Sequence, residues 1–189
     1  SFDLVRGALT NLELYGMGGA DRVELQSLDA GEDGGAGELA TIRLDGDTDT
    51  NADASADVVA VRSTSNLPGT AIVQMFGGAG ADGFLLDSDA DGQFTAGTVD
   101  NIQAQIQVAP AGDEGGGDEL YVIDTSAAAG KTVALTNNAI DGITGLGAGT
   151  DIGYTAAVTT VKIFTSNHAD TVNVNSTAAG TTYHLATQG

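Results

Sequence analysis

Three carboxylates at alternate positions, Asp87, Asp89 and Asp91, are followed directly by Gly92 in the stretch DSDADGQF. Residues of this type at this spacing can hold a hard divalent cation. Alternation gathers the carboxylates around one point, glycine permits the sharp turn, and the carbonyl of Gln93 supplies the next ligand. The stretch is the opening of a D-x-[DN]-x-[DN]-G calcium loop. Where an EF-hand closes with a bidentate glutamate, this chain has Thr98, and no flanking helix is predicted. The expectation is then a helix-free, Asp-rich loop, with Asp100 as a candidate late ligand. A second series, DGDTDTNAD, sets Asp45, Asp47, Asp49, Asn51 and Asp53 at alternate positions. Its sixth residue is Thr50 instead of glycine, so its turn is less well specified. Oxygen-bearing side chains packed this densely repel one another unless a cation lies among them. The competing reading for both loops is a solvated acidic turn. Magnesium is disfavoured, because it keeps its water and prefers phosphate. The acidic clusters 29–38 and 112–119 lack ligand spacing and read as solvated turns.

Other chemistries find little support. With no cysteine, thiol catalysis and Cys-ligated zinc are excluded, and the fold holds without disulfides. His168 and His184 stand apart, and neither belongs to an H-E-x-x-H motif. There is no nucleophile elbow, Walker loop or dinucleotide fingerprint. Carboxylate pairs are so frequent that none singles out a glycosidase pair. A polyuronate-cleaving site would need clustered cations, and the chain has only Arg6, Arg22, Arg43, Arg62, Lys131 and Lys162. The expectation is a protein that is not an enzyme.

The 189 residues carry 26 acidic and 6 basic side chains, a net charge of −20. Such a surface repels nucleic acid and anionic membranes and attracts divalent cations. No run reaches the roughly 18–20 apolar residues of a membrane span. The chain opens at Ser1 with no signal peptide, which reads as a fragment or a processed chain. Glycine at 28 against proline at 2 argues for many tight turns.

An internal repeat organises these turns. LTNLELYGMGGADRVELQS begins at Leu9, and VTTVKIFTSNHADTVNVNS begins at Val158, 149 residues later. Leu12 pairs with Val161, Leu14 with Ile163, Tyr15 with Phe164, Asp21 with Asp170, Val23 with Val172, Leu25 with Val174 and Ser27 with Ser176. The unit recurs around Asp82, and more weakly around Asp57 and Asp118. Residues 1–149 read as one long repeat of four strand–turn modules, and 150–189 as the start of the next. Short period-two strands are predicted at 12–15, 22–26, 40–44, 58–62, 71–76, 83–86, 102–108, 119–123, 132–135, 159–164, 171–175 and 181–185. No amphipathic helix is predicted. The fold class is all-β. A repeated strand–turn–strand module predicts a parallel β-solenoid (β-helix) with inserted acidic loops; the alternative is an antiparallel β-sandwich. Tyr15, Phe76 and Phe164 occupy equivalent repeat positions and are expected in the core.

The glycine-rich turns resemble the hemolysin-type (RTX) calcium-binding repeat, G-G-x-G-x-D-x-U-x with U apolar. GGAGADGFL, starting at Gly77, matches every fixed position, and GMGGADRVE, starting at Gly16, misses only the second glycine. DEGGGDELY, starting at Asp113, keeps the second half, and TSNHADTVN keeps Asp170 and Val172. Most of the chain also resembles the acidic, Gly/Asp-rich tandem repeats of giant bacterial surface and secreted proteins. The spacing departs from the family, whose repeats recur every nine residues; most matched turns here stand 36 or more apart. The resemblance implies calcium between successive turns, held by backbone carbonyls and aspartates. Asp82 and Asp21 are then either calcium ligands or caps of their own turns.

Together these readings predict a non-catalytic, calcium-stabilised structural or adhesive segment of an extracellular prokaryotic surface protein, stalk or filament. Its partners would be calcium and further repeats, head-to-tail or within one chain, but neither nucleic acid nor a membrane interior. The alternative is a carbohydrate-binding or polysaccharide-degrading β-helix with glycan partners. Asn175-Ser176-Thr177 is a glycosylation sequon compatible with a surface fibre.

Overall fold

Val, Ile and Leu at alternate positions, bounded by Gly, Asp and Ser, favour short half-buried strands. The structure, a computed structural model, describes residues 11–27, 39–47, 54–65, 67, 70–89, 96–113, 116–147 and 149–187. Among them the chain is all-β. The strands are β1 (Asn11–Tyr15), β2 (Arg22–Leu25), β3 (Thr41–Asp45), β4 (Val58–Val61), β5 (Ile72–Phe76), β6 (Gly83–Leu86) and β7 (Gln105–Val108). They continue as β8 (Asp118–Ile123), β9 (Thr132–Leu135), β10 (Ala139–Asp141), β11 (Ile152–Tyr154), β12 (Val158–Thr165), β13 (Thr171–Val174) and β14 (Thr182–Thr187).

Two sheets result. The first has the order β1-β3-β5-β7-β11-β10-β9-β13, and the second β14-β12-β8-β6-β4-β2. From β1 to β9 the chain changes sheet at every step. All strand pairs are parallel except the two made by β10. Pairing of this kind does not fit the antiparallel sandwich.

Register follows the repeat. Leu12, Ile42, Val73 and Ile106 form one row of the first sheet, and Leu14, Leu44, Met75 and Val108 the next. In the second sheet Val23, Val59, Phe84, Leu120 and Val161 form a row beside Leu25, Val61, Leu86, Val122 and Ile163. These rows meet in one core, in which Ile42, Leu44, Val59, Val61, Phe84 and Leu86 are fully buried. Each such side chain contributes about 1.5–3 kcal/mol relative to exposure. A slip of one residue would expose a whole row, which locks the register.

Two elements escape the sequence reading. β10 and β11 are three residues each, too short to show alternation. They form an antiparallel hairpin wedged between β7 and β9 in the first sheet. The repeat also takes an unexpected course. β1 and β12 match in sequence and in how they pair onward: Leu12 with Ile42 and Leu14 with Leu44, Val161 with Tyr183 and Ile163 with Leu185. Yet β1 lies in the first sheet and β12 in the second, because the chain crosses an odd number of times between them.

Of the equivalent aromatics Phe76 is buried as expected, while Tyr15 and Phe164 lie outside the main core. Tyr15 is 41% exposed. The Arg43 guanidinium lies 5.6 Å from its ring centroid and 4.0 Å from that of Phe76, shielding Phe76 on the outer face. Phe164 packs with Tyr121 on a separate cluster of Ala60, Leu85 and Ile123.

Candidate metal centre

The turns that run from the first sheet to the second carry the recurring aspartates. They stack because the strands on both sides stack. Asp57 Oδ1 accepts the backbone N–H of Asp21 at 2.7 Å, Asp82 Oδ1 that of Asp57 at 2.8 Å, and Asp118 Oδ1 that of Asp82 at 3.0 Å. Each carboxylate thus caps the turn of the preceding layer, and the four form a column. Beside it runs a column of glycines that end the strands of the first sheet. A Cβ on Gly16 would lie 2.0 Å from the carbonyl oxygen of Gly46. One on Gly46 would lie 2.8 Å both from the carbonyl oxygen of Gly77 and from Asp57 Oδ2. Glycine is required here by close approach, since carbonyls and carboxylates fill the space a side chain would take.

The electrostatics of the column are unfavourable. Asp57, Asp82 and Asp118 are buried. The second carboxylate oxygens of Asp57 and Asp82 are buried and receive no hydrogen bond from the described residues. Asp118 faces the carboxyl of Asp113, which accepts the N–H groups of Gly77 at 3.1 Å and Gly78 at 2.9 Å. Burial pushes the Asp57 carboxyl up to about 6, with the charges of Asp82, Asp47 and Asp21 adding to it and the Asp21 N–H opposing. Burial likewise pushes Asp118 up to about 7, reinforced by Asp113 and Asp82. Asp82 and Asp113 are also raised, first by burial and then by neighbouring carboxylates. Desolvated acids that lack a counter-charge favour their neutral form unless a cation joins them.

Among the described residues no three acidic, histidine or cysteine side chains converge on one metal position. A cation in this column would therefore take at most two carboxylates at a time and complete its shell with backbone carbonyls such as those of Gly46 and Gly77. That donor set, all oxygen and largely main-chain, suits calcium better than zinc or magnesium.

The predicted ligands are redistributed. Asp82 joins the column through its carboxylate, and Asp21 through its N–H; the Asp21 carboxylate caps its own turn by accepting the N–H of Met17 at 2.9 Å. Asp47 is buried and belongs to the column: a Cβ on Gly78 would lie 2.6 Å from its Oδ2. Asp45 instead pairs with Arg43 at 2.6 Å, because residues two apart on a strand share a face. Asp87 is fully buried and accepts the N–H of Asp89 at 3.3 Å, and a Cβ on Gly97 would lie 1.7 Å from its Oδ1. Its first contact is a cap across the turn. Asp49, Asn51, Asp53, Asp91 and Gln93 lie outside the described residues. Asp57, Asp113 and Asp118 were missed as column members. The repeat alignment marks Asp57 and Asp118, but only stacking shows that their carboxylates meet.

The glycine column gives one direct test. A Cβ on Gly77 would fall 2.3 Å from Asp82 Oδ2 and 2.6 Å from Asp82 Cβ. Gly77→Ala should destabilise by about 1–3 kcal/mol. At Gly83 the nearest atom is 3.7 Å away, so Gly83→Ala should leave the melting temperature within a degree or two. Equal effects in paired thermal melts would refute the close-approach argument.

Fold and site together define an all-β protein of two mostly parallel sheets, with a buried aspartate column along the turns. Comparison with protein-family models, with curated proteins and with solved structures finds no match.

Proposed function

We propose that the two sheets are the faces of a parallel β-solenoid, and that the chain is a non-catalytic, calcium-stabilised structural or adhesive repeat segment of an extracellular surface protein, stalk or filament. The observation that carries this reading is the pair of buried, donor-less carboxylate oxygens on Asp57 and Asp82, set beside the carbonyls of a glycine column. A side-chain column of this kind serves stability, since its carboxylates cap the turns of neighbouring layers. Calcium would neutralise it and couple each layer to the next. In a calcium-poor interior the chain stays loose; outside the cell it sets. Head-to-tail contact with further repeats is supported by the layers at either end. Leu12 and Leu14 point inward yet are only half-buried, and Val174 and Leu185 are 51% and 41% exposed in the same inward rows. Another layer would cover them.

The deciding experiment compares thermal melts in calcium and in EDTA, with calorimetry for binding. At calcium one hundred times Kd, each site should add about 2.7 kcal/mol, or roughly 5–10 °C for a chain of this size. An unchanged melting temperature together with no binding heat would sink the calcium role. A carbohydrate-binding reading draws on the outer face of the first sheet. There Tyr15, Arg43 and Phe76 stack beside Gln74, whose Nε2 donates to Gln107 Oε1 at 3.0 Å. Glycan-array binding lost in Tyr15→Ala would promote it.

A further inference from the structure

The turns that return from the second sheet to the first solve the same electrostatic problem differently. Asp124, at the end of β8, is buried, and Asp100 stands just before β7. Between them lies the ammonium of Lys131, which is itself largely buried. Its Nζ is 2.5 Å from Asp100 Oδ1, 2.8 Å from Asp124 Oδ2 and 2.5 Å from the carbonyl oxygen of Ile143. An ammonium has three N–H donors, and all three are used. The other oxygens of the cage are also committed. Asp124 Oδ1 accepts Thr98 Oγ1–H at 2.9 Å and the Val99 N–H at 3.2 Å. The Ile143 carbonyl is presented by a turn that Asp151 Oδ2 caps, accepting the N–H groups of Ile143 and Thr144 at 3.0 Å each.

Lys131 also stands in the backbone pattern of the aspartate column. Its N–H donates to Asp170 Oδ1 at 2.7 Å, as the N–H of Asp21 does to Asp57. Asp170 is the sequence equivalent of Asp21, but the odd number of crossings has carried it to a return turn. The layer beneath it therefore offers a lysine where the other column offers an aspartate. The lysine's effect differs between the two carboxyls. Burial pushes Asp100 up, yet the hydrogen bond and charge of Lys131, with the backbone N–H of Ala128, outweigh it and hold the group below its ordinary range; at the more deeply buried Asp124 burial outweighs the same lysine, and that carboxyl is raised.

We propose that the Lys131 ammonium is a tethered cation, filling a cation site built from Asp100, Asp124 and the Ile143 carbonyl, so that the segments 97–101 and 124–131 are held together without metal. The contrast with the other column rests on the calcium reading above; the ammonium's role at its own site does not. A protein built this way keeps one edge ordered in calcium-free surroundings while the other waits for calcium. The tether also pins the β10–β11 hairpin, which provides Ile143, against the strands it separates.

Hydrogen exchange on the full chain, read by peptide in calcium and in EDTA, tests this. In the wild type, EDTA should deprotect residues 77–82 and leave 97–101 and 124–131 protected. In Lys131→Ala, protection of 97–101 and 124–131 should fall at least tenfold in EDTA and return with calcium, and calorimetry should find one more bound calcium equivalent than in the wild type. Lys131→Arg, which keeps a cation, should retain protection in EDTA. If EDTA opens both sets of turns alike in the wild type, or if Lys131→Ala leaves 97–101 and 124–131 protected in EDTA, the tethered-cation proposal is overturned. If calcium changes neither set of turns in the wild type while Lys131→Ala still opens its own, the calcium reading fails and the ammonium site stands. A Lys131→Ala chain that is unfolded in both conditions, beside a folded Lys131→Arg, also supports the site, since Lys131→Arg keeps the positive charge that Lys131→Ala removes.

Discussion

Asn at positions 57 and 82 together should raise the melting temperature of the metal-free protein and abolish its response to calcium. Both carboxylates are buried, and each leaves one oxygen without a donor among the described residues. The effective penalty for an uncompensated buried ion is several kcal/mol. Asn keeps the acceptor that caps the N–H of Asp21 or Asp57 and turns the other oxygen into a donor. The Gly77 carbonyl oxygen lines the same space beside Gly46 that Asp57 Oδ2 lines. The gain in EDTA should be about 10 °C or more. On the calcium reading the order should reverse in calcium, because the variant lacks the charge that would bind the ion. Asp57→Ala is the control: it removes the acceptor too, leaves the Asp21 N–H unpaired, and should melt lower under both conditions. If the double Asn variant melts below the wild type in EDTA, the column is not electrostatically strained, and the argument for a cation loses its basis.

The second large effect is a pH dependence whose sign also depends on calcium. Asp57 and Asp118 rise from an ordinary 3.8 to about 6 and about 7. A carboxyl with a higher pKa in the folded state than in the unfolded one binds its proton more tightly when folded. Its contribution is fully present below about pH 4 and is lost as pH rises through 6 to 7. In EDTA the protein should therefore be more stable near pH 4.5 than at pH 8, by about 1–3 kcal/mol for each carboxyl, less for Asp57 than for Asp118. In saturating calcium the slope should reverse, because the ion needs the carboxylate and competes with the proton. Melting curves from pH 4 to 8 in both conditions check this. A flat profile in EDTA would show that the column is solvated and its acids ordinary.

How much of this was legible beforehand differs between fold and site. The strands around Val23, Val59, Phe84 and Leu120 were readable because an inward row of apolar residues must alternate with an outward polar one. The hairpin of β10 and β11 was not, because three residues cannot display a period. The repeat alignment placed Asp21, Asp57, Asp82 and Asp118 at equivalent positions, but not their hydrogen bonds, which run between layers 25 to 36 residues apart. The alternating series from Asp45 to Asp53 suggested one loop with one purpose. Instead Asp45 is drawn to Arg43 on the outer face, while Asp47 turns into the column. Local spacing measures which side chains can meet along an extended chain, not which neighbours the next layer brings.

The amino-acid sequence by itself determined the period, the inward rows, the glycines where two backbones must nearly touch, and the excess of acid. Those are local quantities, set by side-chain size and alternation. The tertiary structure decided which acids are buried together and which one meets a lysine. That depends on how many times the chain crosses between sheets before a turn recurs. An odd number put Asp170 beside Lys131, away from the column to which its sequence assigns it.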